Sequence, residues 1–105
     1  NLQPANAIRA ALKRANLQVA DLNQIEINEA FAAVGVSSTK DLGIDPERVN
    51  VDGGAIAIGH PIGSSGARIV GHLARNLQRE GAGSIGAIGI CGGGGQGVSV
   101  VLRAV

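Results

Sequence analysis

Three residues of this chain are of types that do chemistry, and each stands in an unusual setting. Cys91 is the only cysteine and opens the run "CGGGGQG", Cys91–Gly97. Glycines beside a thiol leave room for a ligand and free backbone N–H groups to face an oxyanion. His60 precedes Pro61, which drives it out of helical space and onto a loop. That loop stands just ahead of "GSSG", a helix start, where a neutral imidazole is favoured and can act as base or hydrogen-bond donor. Asn28, in "NEAFA", sits at a strand-to-helix junction, either as a helix cap or as an amide that positions a water or a histidine. One thiol, one loop histidine and one amide make a triad-like inventory, though spacing alone does not bring them together.

Other motifs fall away. "GAIAIGHP" nearly spells a phosphate loop, but His60 and Pro61 stand where Lys and Ser/Thr are required. Gly92, Gly94 and Gly97 satisfy a dinucleotide fingerprint formally. The β-branched "VSVV" that follows denies it the helix such a site needs. One Cys and one loop His at no ligand spacing make a poor metal site. His72 reads as a surface residue on a wet helix face.

The elements that must position these residues are legible from periodicity. "PANAIRAALKRAN" reads as a helix with Pro4 in its first turn and a stripe of Ile8, Ala11, Leu12 and Ala15. "QIEIN" alternates as a short strand. "EAFAAVGVSSTKDLG" reads as a helix ending near Gly43, small-faced and buried. "DPERVNVDGGA" reads as a turn into an extended segment. "GSSGARIVGHLARNLQREG" is a helix capped by Ser64 or Ser65 and closed by Gly81. Its buried stripe is Val70, Leu73, Ala74 and Leu77, and its wet face Arg68, His72, Arg75 and Arg79. "SIGAIGICG" and "QGVSVVLRAV" are strands joined by the glycines. This order predicts an α/β domain with a mixed β-sheet and helices on both faces.

Composition narrows the partners. The chain has 105 residues, a formal net charge of +1, 17 glycines and one aromatic residue, Phe31. Without aromatics or a basic stripe there is no platform for nucleic acid. The apolar runs fall far short of the roughly 18 residues of a membrane span, so no membrane is expected. A single cysteine forms no internal disulfide and suits a reducing, cytoplasmic setting. The chain lacks Met and opens "NLQPANAIRA", which reads as a fragment, a processed chain or a trimmed one, with a preceding strand missing.

"NEAFA" at Asn28–Ala32, "NVDGGAIAIGHPIGSSGAR" at Asn50–Arg68 and "CGGGGQG" at Cys91–Gly97 together resemble three signatures of the thiolase family, in family order. The resemblance covers residues 1–105 as the C-terminal domain and implies an absent, homologous N-terminal half with the nucleophilic cysteine. It implies that Cys91 is the acid/base taking the α-proton of acetyl-CoA. It implies that His60 activates the nucleophile and helps bind a thioester oxygen, with Asn28 holding a water in that first oxyanion hole. Gly93 is implied as an N–H donor to a second hole. The implied reaction is a ping-pong, reversible Claisen condensation. CoA thioesters serve as substrates, there is no resident cofactor, and the full-length enzyme is a homo-oligomer.

Within the family the wording looks most like the acetoacetyl-CoA thiolases, with the 3-ketoacyl-CoA thiolases of fatty-acid β-oxidation as the alternative. Gly92 departs from the bulkier aliphatic of many members, which predicts looser packing beside Cys91. Two readings from other classes remain: a non-catalytic CoA-binding or interaction module, and a cysteine hydrolase using Cys91 with His60 and Asn28.

Overall fold

The computed structural model describes residues 2–105. Helix α1 (Gln3–Arg14) leads to a 3-10 turn at Val19–Asp21 and strand β1 (Gln24–Ile27). Helix α2 (Ala32–Leu42), a second 3-10 turn at Pro46–Arg48, the one-turn α3 (Ala55–Ile58) and the long α4 (Ile62–Glu80) follow. Strands β2 (Ile85–Gly92) and β3 (Gln96–Arg103) close the chain. The sheet order is β1-β2-β3, with β1 parallel to β2 and β2 antiparallel to β3. The predicted α/β class with a mixed sheet is therefore what forms.

Each face of the sheet carries its own helix. Ala5, Ile8 and Leu12 of α1 pack with Ile25, Ile27 and Ala87 on one face. Ile69, Leu73 and Leu77 of α4 pack with Ile88 on the other. Period-2 alternation explains the division: Ala87 and Ile88 are consecutive and face opposite ways. Gly89 is required by close approach, since a Cβ there would lie 2.9 Å from Ile8 Cδ1 and 3.0 Å from the Pro4 carbonyl oxygen.

The glycine run is the tip of the β2–β3 hairpin. Gly92 pairs with Gln96, and Gly94 and Gly95 take φ of 79° and 78°, a left-handed turn that residues with a Cβ resist. A Cβ at Gly92 would meet only Gln96, its Cβ at 3.4 Å and its two oxygens at 3.9 Å, all ordinary contacts.

Three expectations need correction. α4 starts earlier than its serines suggest. Pro61 is its N-cap, and Ser64 and Ser65 lie inside the first turn, with both hydroxyls turned back to the Pro61 carbonyl. The buried stripe of α4 is Ile69, Leu73 and Leu77, with Val70 and Ala74 only half-buried, because the helix is rotated to bring a polar row against β1. α2 is not buried as a whole. It buries Val34, Ser38, Thr39 and Leu42, while Val36 is 69% exposed, because its main helical contact is α1 alone.

Candidate active site

The site grows from the C-terminal ends of the two parallel strands. β1 pairs with β2 from Gln24 opposite Gly86 to Ile27 opposite Gly89, and the Asn28 N–H donates to the Gly89 carbonyl at 2.9 Å. Asn28 and Cys91 thus leave the sheet at the same end. α4 must return to the start of β2, so its N-terminus, and His60 just before it, lies at that end too. This is where α/β sheets gather ligands.

An asparagine not singled out by the sequence builds the platform. Asn50, at φ 51°, accepts from the Ile27 N–H and donates to the Ile27 carbonyl, both at 2.8 Å. Its side chain thereby satisfies the open edge of β1 as another strand would. Val49 forms a bridge with Ile25, and the Asn50 N–H donates to the Ile25 carbonyl. These bonds pin the stretch that leads through α3 to His60. Glu29 Oε1 accepts from the Ile56 N–H at 3.4 Å, which ties the start of α3 to the end of β1.

Asn28 is fully buried and is not a helix cap: α2 begins four residues later, on Phe31 as N-cap. Its Nδ2 lies 3.4 Å from His60 Nε2 and 3.5 Å from Nδ1, nearly equidistant from the two ring nitrogens. Ser65 fixes the imidazole. Its hydroxyl donates to the Pro61 carbonyl at 3.2 Å, so its oxygen accepts from His60 Nδ1–H at 2.5 Å. That assigns the ring proton to Nδ1 and leaves the Nε2 lone pair as a base. Ser65 was read as a possible cap. Its spacing of five from His60 across Pro61 is the signal that it folds back on the ring.

Cys91 is half-buried at the end of β2, paired with Gly97. Among the described residues no hydrogen bond joins it to His60 or Asn28. Strand alternation explains this: Cys91 shares the parity of Ala87 and Gly89, which face α1, whereas Asn28 faces α4. Gly93 is exposed at the hairpin tip. The structure therefore brings Asn28 and His60 into contact and sets Cys91 and Gly93 at the same end of the sheet.

A polar group continues beneath the pair. His72 is not a free surface residue: its Nε2 lies 3.0 Å from Asp52 Oδ2 and 3.5 Å from Oε1 of Glu26, and Asn76 Nδ2 donates to Asp52 at 3.0 Å. Arg68, likewise read as wet, is half-buried and donates from NH2 to Asn28 Oδ1 at 3.4 Å. Glu26 is 2% exposed. Burial pushes its carboxyl up to about 7, with the Arg68 charge pulling the other way and Asp52 and Glu29 adding to the rise. At neutral pH and below, the Glu26–His72 contact is thus closer to a hydrogen bond than to an ion pair. The Asn76 amide holds Asp52 below the usual carboxylate range, with help from His72 and Arg79. A groove of about 660 Å³ lies along α2 and α3 past Glu29, and none of Asn28, His60 or Cys91 lines it.

The site is thus a buried amide and an oriented imidazole at the parallel strand ends of an α/β domain, with a thiol closing the next strand. The family model described as "Thiolase, C-terminal domain" matches residues 1–104, and the chain belongs to the thiolase family. It is 61% identical over 96% of its length to a probable acetyl-CoA acetyltransferase of Mycolicibacterium smegmatis, of which it covers 26%. It superposes with a TM-score of 0.93 and 42% identity on human mitochondrial 3-ketoacyl-CoA thiolase solved with CoA, covering 99% of this chain and 26% of that one. On peroxisomal 3-ketoacyl-CoA thiolase of Saccharomyces cerevisiae, described as five layers built from two core domains of identical topology, the TM-score is 0.91 at 42% identity. There the match covers 99% of this chain and 29% of that one. The chain spans about a quarter of the length of the curated relatives it matches.

Proposed function

We propose that this chain is the C-terminal catalytic half of an acetyl-CoA C-acetyltransferase, which condenses two acetyl-CoA to acetoacetyl-CoA reversibly by ping-pong acyl transfer. The observation that carries the reading is the Asn28–His60 contact with the imidazole proton held on Nδ1 by Ser65. In the first half-reaction His60 Nε2 takes the proton of a cysteine thiol on an N-terminal half. That thiolate attacks the first acetyl thioester, the C–S bond to CoA breaks, and an acyl-cysteine forms. Asn28 holds a water that, with His60, supports the thioester oxygen.

In the second half-reaction the Cys91 thiolate removes the α-proton of the second acetyl-CoA. The Gly93 N–H is one donor to the enolate oxygen. The enolate carbon then attacks the acyl-cysteine carbonyl, and the cysteine leaves as thiolate. CoA thioesters are substrates, and no resident cofactor takes part.

Several observations support this reading. The Mycolicibacterium smegmatis relative is named an acetyl-CoA acetyltransferase, which favours a two-carbon acyl group over the longer chains of the 3-ketoacyl-CoA thiolases. Phe31, Ile56, Ile58 and Ile62 are 63–86% exposed in the segments that follow Asn28 and flank His60. Such surface suits coverage by the partner half. A homo-oligomer in the cytoplasm goes with the same reading. The hydrolase alternative would need Cys91 bonded to His60, and no such bond is present among the described residues.

The test uses the full-length protein that carries this domain. Cys91→Ala abolishes condensation while an acyl-enzyme still forms from acetyl-CoA, a step in which no α-proton moves. Equal loss of both half-reactions would remove Cys91 from the proton-transfer role. The chain by itself gives no cleavage of acetoacetyl-CoA with free CoA. Ordinary turnover lost in Cys91→Ser would instead support a self-sufficient thiol enzyme.

A further inference from the structure

Residues Ser65, Arg68, His72 and Asn76 of α4 recur at helical spacing, one polar row beside the apolar row of Ile69, Leu73 and Leu77. The polar row faces Glu26 and Asn28 of the β1 segment. The geometry is commensurate: two residues of strand advance about 6.6 Å and one helical turn about 5.4 Å. Asn28 therefore meets Arg68 near the start of the helix, and Glu26 meets His72 one turn further on.

We propose that Arg68 is a positioning residue for the Asn28 amide and selects which end of that amide faces His60; the catalytic importance of this rests on the acetyltransferase reading. A guanidinium has five donors and no acceptor. With Arg68 NH2 3.4 Å from one end of the amide, that end must be Oδ1. The opposite orientation would set Nδ2 against a cation, donor to donor. Nδ2 is thereby aimed at the imidazole, 3.4 Å from Nε2. Asn28 is fully buried, so bulk solvent does not set the orientation of its amide. Among the described residues the Arg68 Nε is buried without a hydrogen-bond partner. The charges around it suit the task. Glu26, buried on β1, is a carboxyl whose ionisation the Arg68 charge favours. Arg68 is thus retained near a potential counter-charge without being tied up by it.

The primary readout is the side-chain amide of Asn28 in an isotope-labelled NMR spectrum, which reports orientation whether or not the amide is catalytic. In Arg68→Met the Asn28 NH2 signals move toward those of a free asparagine amide and sharpen with faster rotation. The backbone signals of α1 and β3 stay in place, and Arg68→Lys retains part of the wild-type shift. Unchanged Asn28 signals in Arg68→Met would overturn the proposal.

In the full-length enzyme, Arg68→Met lowers kcat about tenfold, the scale of coupling between contacting residues, with little change in KM. It costs nothing further in an Asn28→Ala background. Equal losses in both backgrounds would also overturn the proposal. If Asn28→Ala keeps full activity while Arg68→Met still moves the Asn28 signals, Arg68 positions the amide as proposed, and it is the role of Asn28 in the reaction that falls. Should Arg68→Met fail to fold, Glu26→Gln with Arg68→Met removes the carboxyl left behind and carries the same readouts.

Discussion

β1 is four residues long, and its two faces have opposite characters. Ile25 and Ile27 turn toward α1 and join a closed apolar cluster with Ile8, Leu12 and Ala87. Glu26 and Asn28, the residues between and after them, turn toward α4 and are just as buried, at 2% and 0% exposure. One face is stabilised by removing hydrocarbon from water. The other holds a carboxyl, an amide, a guanidinium and two imidazoles at the expense of their hydration. The contrast teaches that in this domain the α1 side holds the sheet together and the α4 side spends part of that stability on arranging polar groups, as functional sites commonly do.

The comparison can be broken most forcefully on the α1 side. Ile8 is fully buried, and Ile8→Ala is expected to cost about 2–5 kcal/mol in urea denaturation, through lost transfer energy and a cavity. A loss below about 0.5 kcal/mol would mean that this face is not the stabilising one. The change is expected to leave the pH dependence of stability unaltered, since Ile8 touches no titrating group of the α4 side.

The α4 side is sharpened by pH. Glu26 has a carboxyl raised from 4.5 to about 7 by burial. Between those values the folded protein keeps a proton that the unfolded chain has lost, so stability falls as pH rises through this window. It is unpenalised below about 4.5 and fully penalised above about 7. The whole effect is at most on the order of 3 kcal/mol, trimmed by solvent screening. Glu26→Gln is expected to flatten this slope and to be more stable than the wild type at pH 8 but not at pH 4.5. A slope unchanged in Glu26→Gln would show that another group titrates.

The smallest expected effect falls where the sheet meets α1. Gly89→Ala inserts a methyl 2.9 Å from Ile8 Cδ1 and 3.0 Å from the Pro4 carbonyl oxygen. Overpacking of this kind costs about 1–3 kcal/mol. Because the Gly89 carbonyl also accepts from the Asn28 N–H, the shift should reach the other face and lower kcat of the full-length enzyme slightly. A Gly89→Ala protein with reduced stability and unaltered kcat would show the two faces to be mechanically independent.

How much was legible varied by element. β2 and β3 were readable because β-branched residues flank the glycines closely, and a run of Gly between two strands has few outcomes other than a turn. α4 was readable as a helix from its period, but not its rotation. Arg68 and His72 are charged or polar types, which places them on a wet face unless something across from them needs a partner. That something is Glu26, and nothing in "QIEIN" says that both faces of so short a strand are covered. Asn50 was within a recognised motif, yet its role as a substitute for a strand edge depends on a backbone 23 residues away.

By itself, then, the sequence determined the local quantities: where helices and strands run, that the glycine run must turn, that His60 cannot be helical before Pro61, and, through three motifs, the family. These follow from short-range sterics and periodicity, which act within a few residues. Tertiary structure alone decided that Asn28 meets His60, that Ser65 sets the imidazole tautomer, that Arg68 and His72 are drawn inward, and that Cys91 stands at the same sheet end without bonding to them. Those outcomes depend on the register of β1 with β2 and on the rotation of α4 against both. Register and rotation are set by the packing of the whole chain, in which a one-residue slip of β1 would turn Glu26 and Asn28 to the opposite face.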